Sequence, residues 1–309
     1  MDGLLNVYKE RGFTSHDVVA KLRGILKQKK IGHTGTLDPE AEGVLPVCLG
    51  KATKVCGLLT DKDKTYRAVL LLGVETDTQD TGGRILSQKE IKAGEEEVRK
   101  AVMGFVGGYD QIPPMYSALK VDGKKLYELA RQGKEVERKA RRVTIHEIVI
   151  EKVELPRVTM TVTCSKGTYI RTLCHDIGQV LGCGGCMESL LRTAVANFRV
   201  EEALTLSRIE ALRDEGPEAL SRAVTAVDSL FLHYPAFEAA EAAEKRLYNG
   251  NPMADSELSE RPQAVGKSEY MPEAGGQIRI YDRKGHFMGI YSFDNEIGRY
   301  RPVKLFFTE

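Results

Sequence analysis

The sequence predicts an α+β, mixed α/β fold with a second, small β-rich domain at its C-terminal end, and three observations lead there. Apolar residues alternate with period two around 66–72, 143–150 and 158–164, as strands require. They recur with the helical period at 18–26 and 98–105. Beyond residue 235 the long runs give way to polar loops and short strand-like segments. With 309 residues and 42 % hydrophobic content, the chain can build one large core and a smaller one.

Thr14 or Ser15 is placed to cap a helix carrying Val18, Val19, Leu22, Ile25 and Leu26. The loop Gly32-His33-Thr34-Gly35-Thr36-Leu37-Asp38-Pro39 follows soon after. Tyr66, Ala68, Leu70 and Leu72 mark an inner strand, and Asp77 to Gly83 a turn-rich loop. Val98, Ala101, Val102 and Phe105 mark a second helix, expected to end at Gly107-Gly108. Residues 111–133, QIPPMYSALKVDGKKLYELARQG, read as a rigid double proline and then a basic, helix-like stretch with Tyr116 and Tyr127. Two long strands flank a turn at Leu155-Pro156. Gly167 and Thr168 form a strand-to-helix corner; Tyr169, Leu173 and Ile177 share one face of the next helix, with Arg171 on another side. After Pro235 an alanine- and glutamate-rich helix is expected to lead to Gly250. Strands at Gln277–Tyr281, Phe287–Tyr291 and Val303–Phe307 complete the small domain.

Composition excludes several classes. No apolar run approaches the ~18 residues that cross a bilayer, and the first residues lack a secretory pattern, so a cytoplasmic protein without membrane partners is expected. Six scattered cysteines do not make a disulfide framework. Cys183-Gly-Gly-Cys186 has redox or half-zinc spacing but no second pair, and small residues easing a tight turn account for it; no metal is expected. Gly50-Lys51-Ala52-Thr53 is not a phosphate loop, because Ala52 stands where Ser or Thr must be and Leu45 where the first glycine must be. Net charge is only +1, yet residues 120–142 hold nine Lys/Arg against four Asp/Glu and 9–30 hold seven against two. Such stretches suit phosphates, or simply a solvated face.

Pro39 pushes Asp38 away from helical angles, and the flanking glycines permit sharp turns, so one carboxylate is held on a fixed segment near a histidine. That suits a nucleophile or a base, although Asp-Pro is also ordinary turn chemistry. Tyrosines among cations at 116–131 suit base stacking, or half-burial on a helix.

Taken together, GHTGTLDPEAEGVLPVCLGKATK, KTYRA, QIPPMYSALKVDGKKLYELARQG, CSKGTYIRTL and RPVKLFF resemble the TruB family of tRNA pseudouridine-55 synthases, in order and spacing over nearly the whole chain. The resemblance implies a pseudouridine synthase fold, a long, mainly antiparallel sheet flanked by helices, over residues 1–232, with a basic RNA-binding insertion around 111–142. It implies a PUA-like RNA-binding domain over 238–309. The implied reaction isomerises a T-loop uridine of tRNA to pseudouridine without cofactor or metal, in a monomer that extrudes the base. Asp38 matches the catalytic aspartate and Arg171 the arginine beside it, expected to hold that carboxylate by paired hydrogen bonds. Tyr66 matches the tyrosine that stacks on the target base and moves a proton, and Tyr169 one that lines the pocket. For RNA binding, His33 matches a wedge entering the T-loop, or else a loop histidine bonded to backbone. Asp80 matches an acid that holds the site loop or the RNA, Leu191 a pocket residue, and Lys120 and Lys124 belong to the insertion. One departure is that Cys183-Gly-Gly-Cys186-Met187 replaces the small-residue and histidine run common before the family's Leu-Arg-Arg-Thr type motif, which here reads Leu190-Leu191-Arg192-Thr193. The rival readings are a guide-dependent pseudouridine synthase working inside a particle, and an RNA-binding chaperone with a vestigial site.

Overall fold

A computed structural model describes residues 1–121, 123–261 and 275–307. The first strand, β1 (Gly3–Lys9), leads into α1 (Ser15–Leu26). Thr14, not Ser15, caps α1: its hydroxyl accepts from the Asp17 N–H while the Asp17 carboxylate accepts from the Thr14 N–H, a reciprocal box. Next come β2 (Ile31–His33), β3 (Glu42–Leu49), α2 (Cys56–Thr60), β4 (Lys64–Leu72), the hairpin β5 (Val74–Thr76) and β6 (Ile85–Gln88), and α3 (Glu95–Met103). Helix α3 stops at Gly104. Gly107-Gly108 instead open β7 (Gly107–Gln111), where Gly107, at φ +105°, starts the pairing with the later strand β10.

The basic stretch is mostly not helical. It folds as a small hairpin, β8 (Lys120–Val121) and β9 (Lys124–Lys125), then the one-turn helix α4 (Leu126–Arg131), which ends before Gly133 at φ +68°. Strands β10 (Arg141–Glu154) and β11 (Arg157–Cys164) flank the Leu155-Pro156 turn as expected, followed by α5 (Ile170–Val180), β12 (Gly185–Val195), β13 (Phe198–Arg199), α6 (Leu206–Glu215), α7 (Pro217–Arg222) and β14 (Val224–Thr225).

One ten-stranded sheet runs β14-β1-β3-β12-β4-β11-β10-β7, with β2 on β3 and β13 on β12. All its pairs are antiparallel except β3 with β12, which run parallel only where Glu42 and Gly43 meet Leu191 and Arg192. Gly43, at φ +105°, admits this contact; a Cβ there would stand 2.2 Å from the Arg192 carbonyl oxygen. One core, built on Leu70, Val102, Met160, Val162 and Leu173, lies under α3 and α5. Another packs α1 and α6 on β1 and β3 through Val18, Leu22, Leu45 and Ile209. Helix α5 approaches β12 so closely that a Cβ on Gly178 would lie 2.2 Å from the Gly185 nitrogen, which explains the small residues of Cys183-Gly-Gly-Cys186.

The alanine- and glutamate-rich run after Pro235 begins as a strand, β15 (Ala236–Ala239), because it is enclosed between two others and buries Phe237. Its helical part is a 3-10 turn at Glu241–Ala243 followed by α8 (Glu244–Tyr248). With β16 (Leu258–Glu260), β17 (Gln277–Tyr281), β18 (Phe287–Asp294) and β19 (Arg299–Leu305) it forms a five-stranded sheet, ordered β16-β15-β17-β18-β19. Among the described residues no helix is long and apolar enough to cross a membrane.

Candidate active site

The β2–β3 loop is fastened from several sides. Thr34 donates both its N–H and its hydroxyl to the Pro46 carbonyl, each at 3.1 Å. The buried Ser15 hydroxyl, at the start of α1, accepts from the Leu37 N–H at 2.9 Å. The Pro39 carbonyl accepts from Gly12 N–H at 2.9 Å and from the fully buried Lys9 Nζ at 3.0 Å. Asp38 thus stands on a non-helical, tethered segment.

Arg171 reaches it from the first turn of α5. Its guanidinium grips both carboxylate oxygens, Nε at 3.0 Å from Oδ2 and Nη2 at 3.3 Å from Oδ1. The same group donates to the carbonyls of Thr78 at 3.1 Å and Tyr116 at 2.8 Å and lies 3.5 Å from the Asp80 carboxylate. Arg171 is therefore buried and joins three chain segments, while the Asp38 side chain is left 40 % exposed. Arginine's planar fork makes that possible.

The exposed side of Asp38 faces a cavity of about 560 Å³, lined also by Tyr66, Tyr169, Arg171, Leu190 and Arg192. Tyr66 sits on inner strand β4, opposite Val162 on one side and Arg192 on the other. Burial raises its phenol above the usual tyrosine range, with Arg192 opposing. Tyr169 precedes α5; buried Gln111 clamps it, accepting from its N–H at 2.8 Å and donating to its carbonyl at 3.0 Å. Lys64, Arg141, Arg142 and Lys166 add cations to the cavity wall, and burial brings Lys64 down to about 8. Among the described residues no three His, Cys, Asp or Glu side chains cluster as metal ligands.

Asp38, Tyr66, Tyr169 and Arg171 are thus brought together, and Asp80 joins them through Arg171 while accepting from Thr78 and the Gly82 N–H. Leu191 is not part of the cavity. It pairs with Arg67 on the far face of the sheet, and Leu190, one residue earlier and opposite Ala68, takes the place expected for it. His33 stands beside the cavity rather than in it: its Nδ1 accepts from the Gly35 N–H at 3.3 Å and its ring meets His16 edge-on. Burial lowers its ring below the usual histidine range. Lys120 and Lys124 are exposed on the small hairpin, just past Ser117, Ala118 and Leu119, which close one wall. Tyr127 is flanked by Lys125 and Arg131, their cationic groups 5.3 and 5.4 Å from its ring centre. Sequence reasoning missed Lys9, Gln111, Leu190 and Arg192. Lys9 and Arg192 carry a signal, since each is a cation in alternation with apolar residues, Leu5 and Val7 before Lys9 and Leu190 and Ala194 around Arg192.

A large mixed sheet with an arginine-held aspartate in a tyrosine-lined cavity at its middle defines an RNA pseudouridine synthase in fold. A chain from the structure of an H/ACA RNP bound to a substrate RNA containing 2′-deoxyuridine superposes with a TM-score of 0.71 at 24 % identity, covering 99 % of this chain and 85 % of that one. A chain from a Cbf5-Nop10-Gar1 complex does so with the same score at 26 % identity and the same coverage. The model for the TruB family pseudouridylate synthase N-terminal domain matches residues 23–170, and that for the tRNA pseudouridylate synthase B C-terminal domain matches 171–232. The tRNA pseudouridine synthase B of Lachnoclostridium phytofermentans is 52 % identical, over 99 % of this chain and all of that one. Its counterpart in Pseudomonas aeruginosa is 41 % identical over 99 % and 96 %. The chain belongs to the TruB family of pseudouridylate synthases.

Proposed function

We propose that this chain isomerises the uridine at position 55 in the T-loop of tRNA to pseudouridine. The observation that carries the reading is the two-pronged Arg171–Asp38 pair, open on one side to a cavity walled by Tyr66 and Tyr169. Asp38 attacks C1′ or stabilises positive charge there as the glycosidic bond breaks. The uracil turns in the cavity, C5 bonds to C1′, and the C5 proton is lost as N1 gains one. Tyr66 and Tyr169 stack against the base, Leu190 fills the apolar side, and Asp80 holds Arg171 in place. A stacked uridine cannot reach Asp38, so it is flipped out at a cost of a few kcal/mol, offset by stacking and phosphate contacts. His33 wedges into the vacated loop, and Lys120 and Lys124 follow the T-arm backbone. Residues 1–232 form the catalytic domain and 238–309 a PUA-like domain touching the acceptor side. The protein works as a cytoplasmic monomer without cofactor or metal.

The test is tritium release from unmodified tRNA labelled at uridine C5, with the purified chain alone and with Asp38→Ala. Release by the wild type and none by the variant is expected. Binding without release by the wild type would instead favour a guide-dependent enzyme or a chaperone.

A further inference from the structure

The cavity wall carries a guanidinium that, among the described residues, has no carboxylate within ion-pair distance. Arg192 is 1 % exposed and lies directly opposite Tyr66 across the β12–β4 pair, and both side chains line the cavity with Asp38. Its Nε donates to the Val44 carbonyl at 2.7 Å and its Nη2 reaches the Gly35 carbonyl, in the Asp38 loop, at 3.4 Å. The register sets the Tyr66 phenol beside it on the same face, where the two groups act on each other electrostatically, and among the described residues that phenol is its favourable side-chain neighbour, not a carboxylate. A buried ion costs several kcal/mol to desolvate, and an isolated one is kept only against that cost. Arg192 pairs instead with two carbonyls and faces one phenol.

A guanidinium has five donors and no acceptor, so the phenol oxygen meets it only as an acceptor. The phenol's own hydrogen is then free to face the other way, into the cavity. We propose that Arg192 is the positioning residue for Tyr66: by donating to the phenol oxygen it turns the phenolic hydrogen towards Asp38 and the bound nucleoside. The inference rests on the isomerase reading above. When the C1′–N1 bond breaks, its electron pair leaves with the uracil, and a phenol aimed at that anion stabilises it by a hydrogen bond while keeping its proton. The nearby cation makes the phenol a stronger donor. The charged and titratable groups acting on Tyr66 are Arg192 on β12, Cys164 on β11 and Asp38 in its loop, and Lys64, Tyr169 and Arg171 line the same cavity.

The test compares full-length wild type, Arg192→Gln, Arg192→Lys, Tyr66→Phe and the double variant Arg192→Gln/Tyr66→Phe in single turnovers at saturating tRNA. Arg192→Gln should slow turnover about 100-fold with tRNA affinity unchanged, and Arg192→Lys should restore part of the rate. In the Tyr66→Phe background the Gln substitution should cost nothing more. Losses that multiply, or a loss of affinity instead of rate, would overturn the proposal. In parallel, tyrosine labelled with ¹³C at Cζ is followed by NMR, with the Tyr66 signal assigned by its absence in Tyr66→Phe. It should titrate at higher pH in Arg192→Gln than in wild type; identical behaviour in the two, including no titration in either, counts against the contact. This second readout needs no turnover, so a wild type without tritium release would sink the isomerase reading while the Arg192–Tyr66 contact is still judged. Should Arg192→Gln fail to fold, Arg192→Lys carries both comparisons, with a smaller rate loss that must again vanish beside Tyr66→Phe.

Discussion

Asp38 depends on one residue more than on any other, because Arg171 supplies both of its ion-pair bonds and also ties down Thr78 and Tyr116. A lysine carries the charge but cannot make a planar two-pronged grip together with two carbonyl contacts. Arg171→Lys should therefore cut kcat by about 100-fold, about 2.7 kcal/mol of transition-state stabilisation, with KM for tRNA nearly unchanged. Steady-state kinetics on tRNA would show it, and a raised KM at constant kcat would mean that Arg171 serves binding instead. Lys9 holds the other side of the loop. Burial brings it from 10.5 to about 8, so between those values the unfolded chain binds the extra proton and the folded one does not. Stability must then rise with pH from about 8 towards 10.5, by up to about 3 kcal/mol for this group. Chemical denaturation across that range should show a shallower rise in Lys9→Met; an equal rise in both would place the titration elsewhere, Lys64 being the other buried lysine brought down to about 8. At this scale the sequence was informative where the chemistry is local. Asp38 before Pro39 and Arg171 just after a strand-to-helix corner are visible as such, whereas the burial of Lys9 and Arg192 depends on strands far away in the chain.

Among elements, the strands were legible and the exceptions have causes. Period two in β4, β10 and β11 survives because each is paired on both sides within one sheet. The exchange of Leu191 for Leu190 is a one-residue slip, which in a strand moves a side chain to the opposite face. The helix expected after Pro235 failed in its first half because helix propensity in Ala236 to Ala239 is weaker than pairing on both edges and the burial of Phe237. The basic stretch shortened to α4 because Gly123, at φ +80°, turns a hairpin. That hairpin carries the next prediction. If Lys120 and Lys124 each neutralise a phosphate, replacing both with alanine should reduce the slope of log affinity against log salt by about 1.4 to 1.8. His33, kept below its usual range by burial, contributes contact and not charge at neutral pH, so His33→Ala should weaken tRNA binding while leaving that slope alone. Equilibrium binding at four or more salt concentrations distinguishes the two; parallel lines for the lysine variant would remove the hairpin from the RNA interface.

The whole molecule is less divisible than its two sheets suggest. Ile290 and Phe306 of the C-terminal unit share a buried cluster with Leu4, Val44, Val195 and Phe231 of the catalytic one. Phe306 stacks on Phe287, with centroids 5.1 Å apart, and sits 6.1 Å from Phe231. Polar contacts cross the same boundary: Lys54 Nζ donates to the Leu305 carbonyl at 2.8 Å and the Tyr281 hydroxyl to Asp228 at 2.8 Å, while Arg279 Nε holds the Tyr234 carbonyl of the link at 2.9 Å. The change in composition after residue 235 located the second sheet, but its packing against the first could not be read from composition, because partners such as Leu4 and Phe306 or Lys54 and Leu305 are distant in the chain. The terminal segment Val303 to Phe307 therefore buttresses strands at the other end of the chain. Emptying the Phe306 site should cost about 3 kcal/mol or somewhat more, the usual range for a buried phenylalanine cut to alanine. Because the residues around the Phe306 side chain come from both units, that loss should reach both. Calorimetry of Phe306→Ala should show one transition shifted to lower temperature, and hydrogen exchange should quicken in β1 and β3 as well as in β18. Two transitions, with the catalytic unit melting at its original temperature, would mean that the units fold independently and only touch.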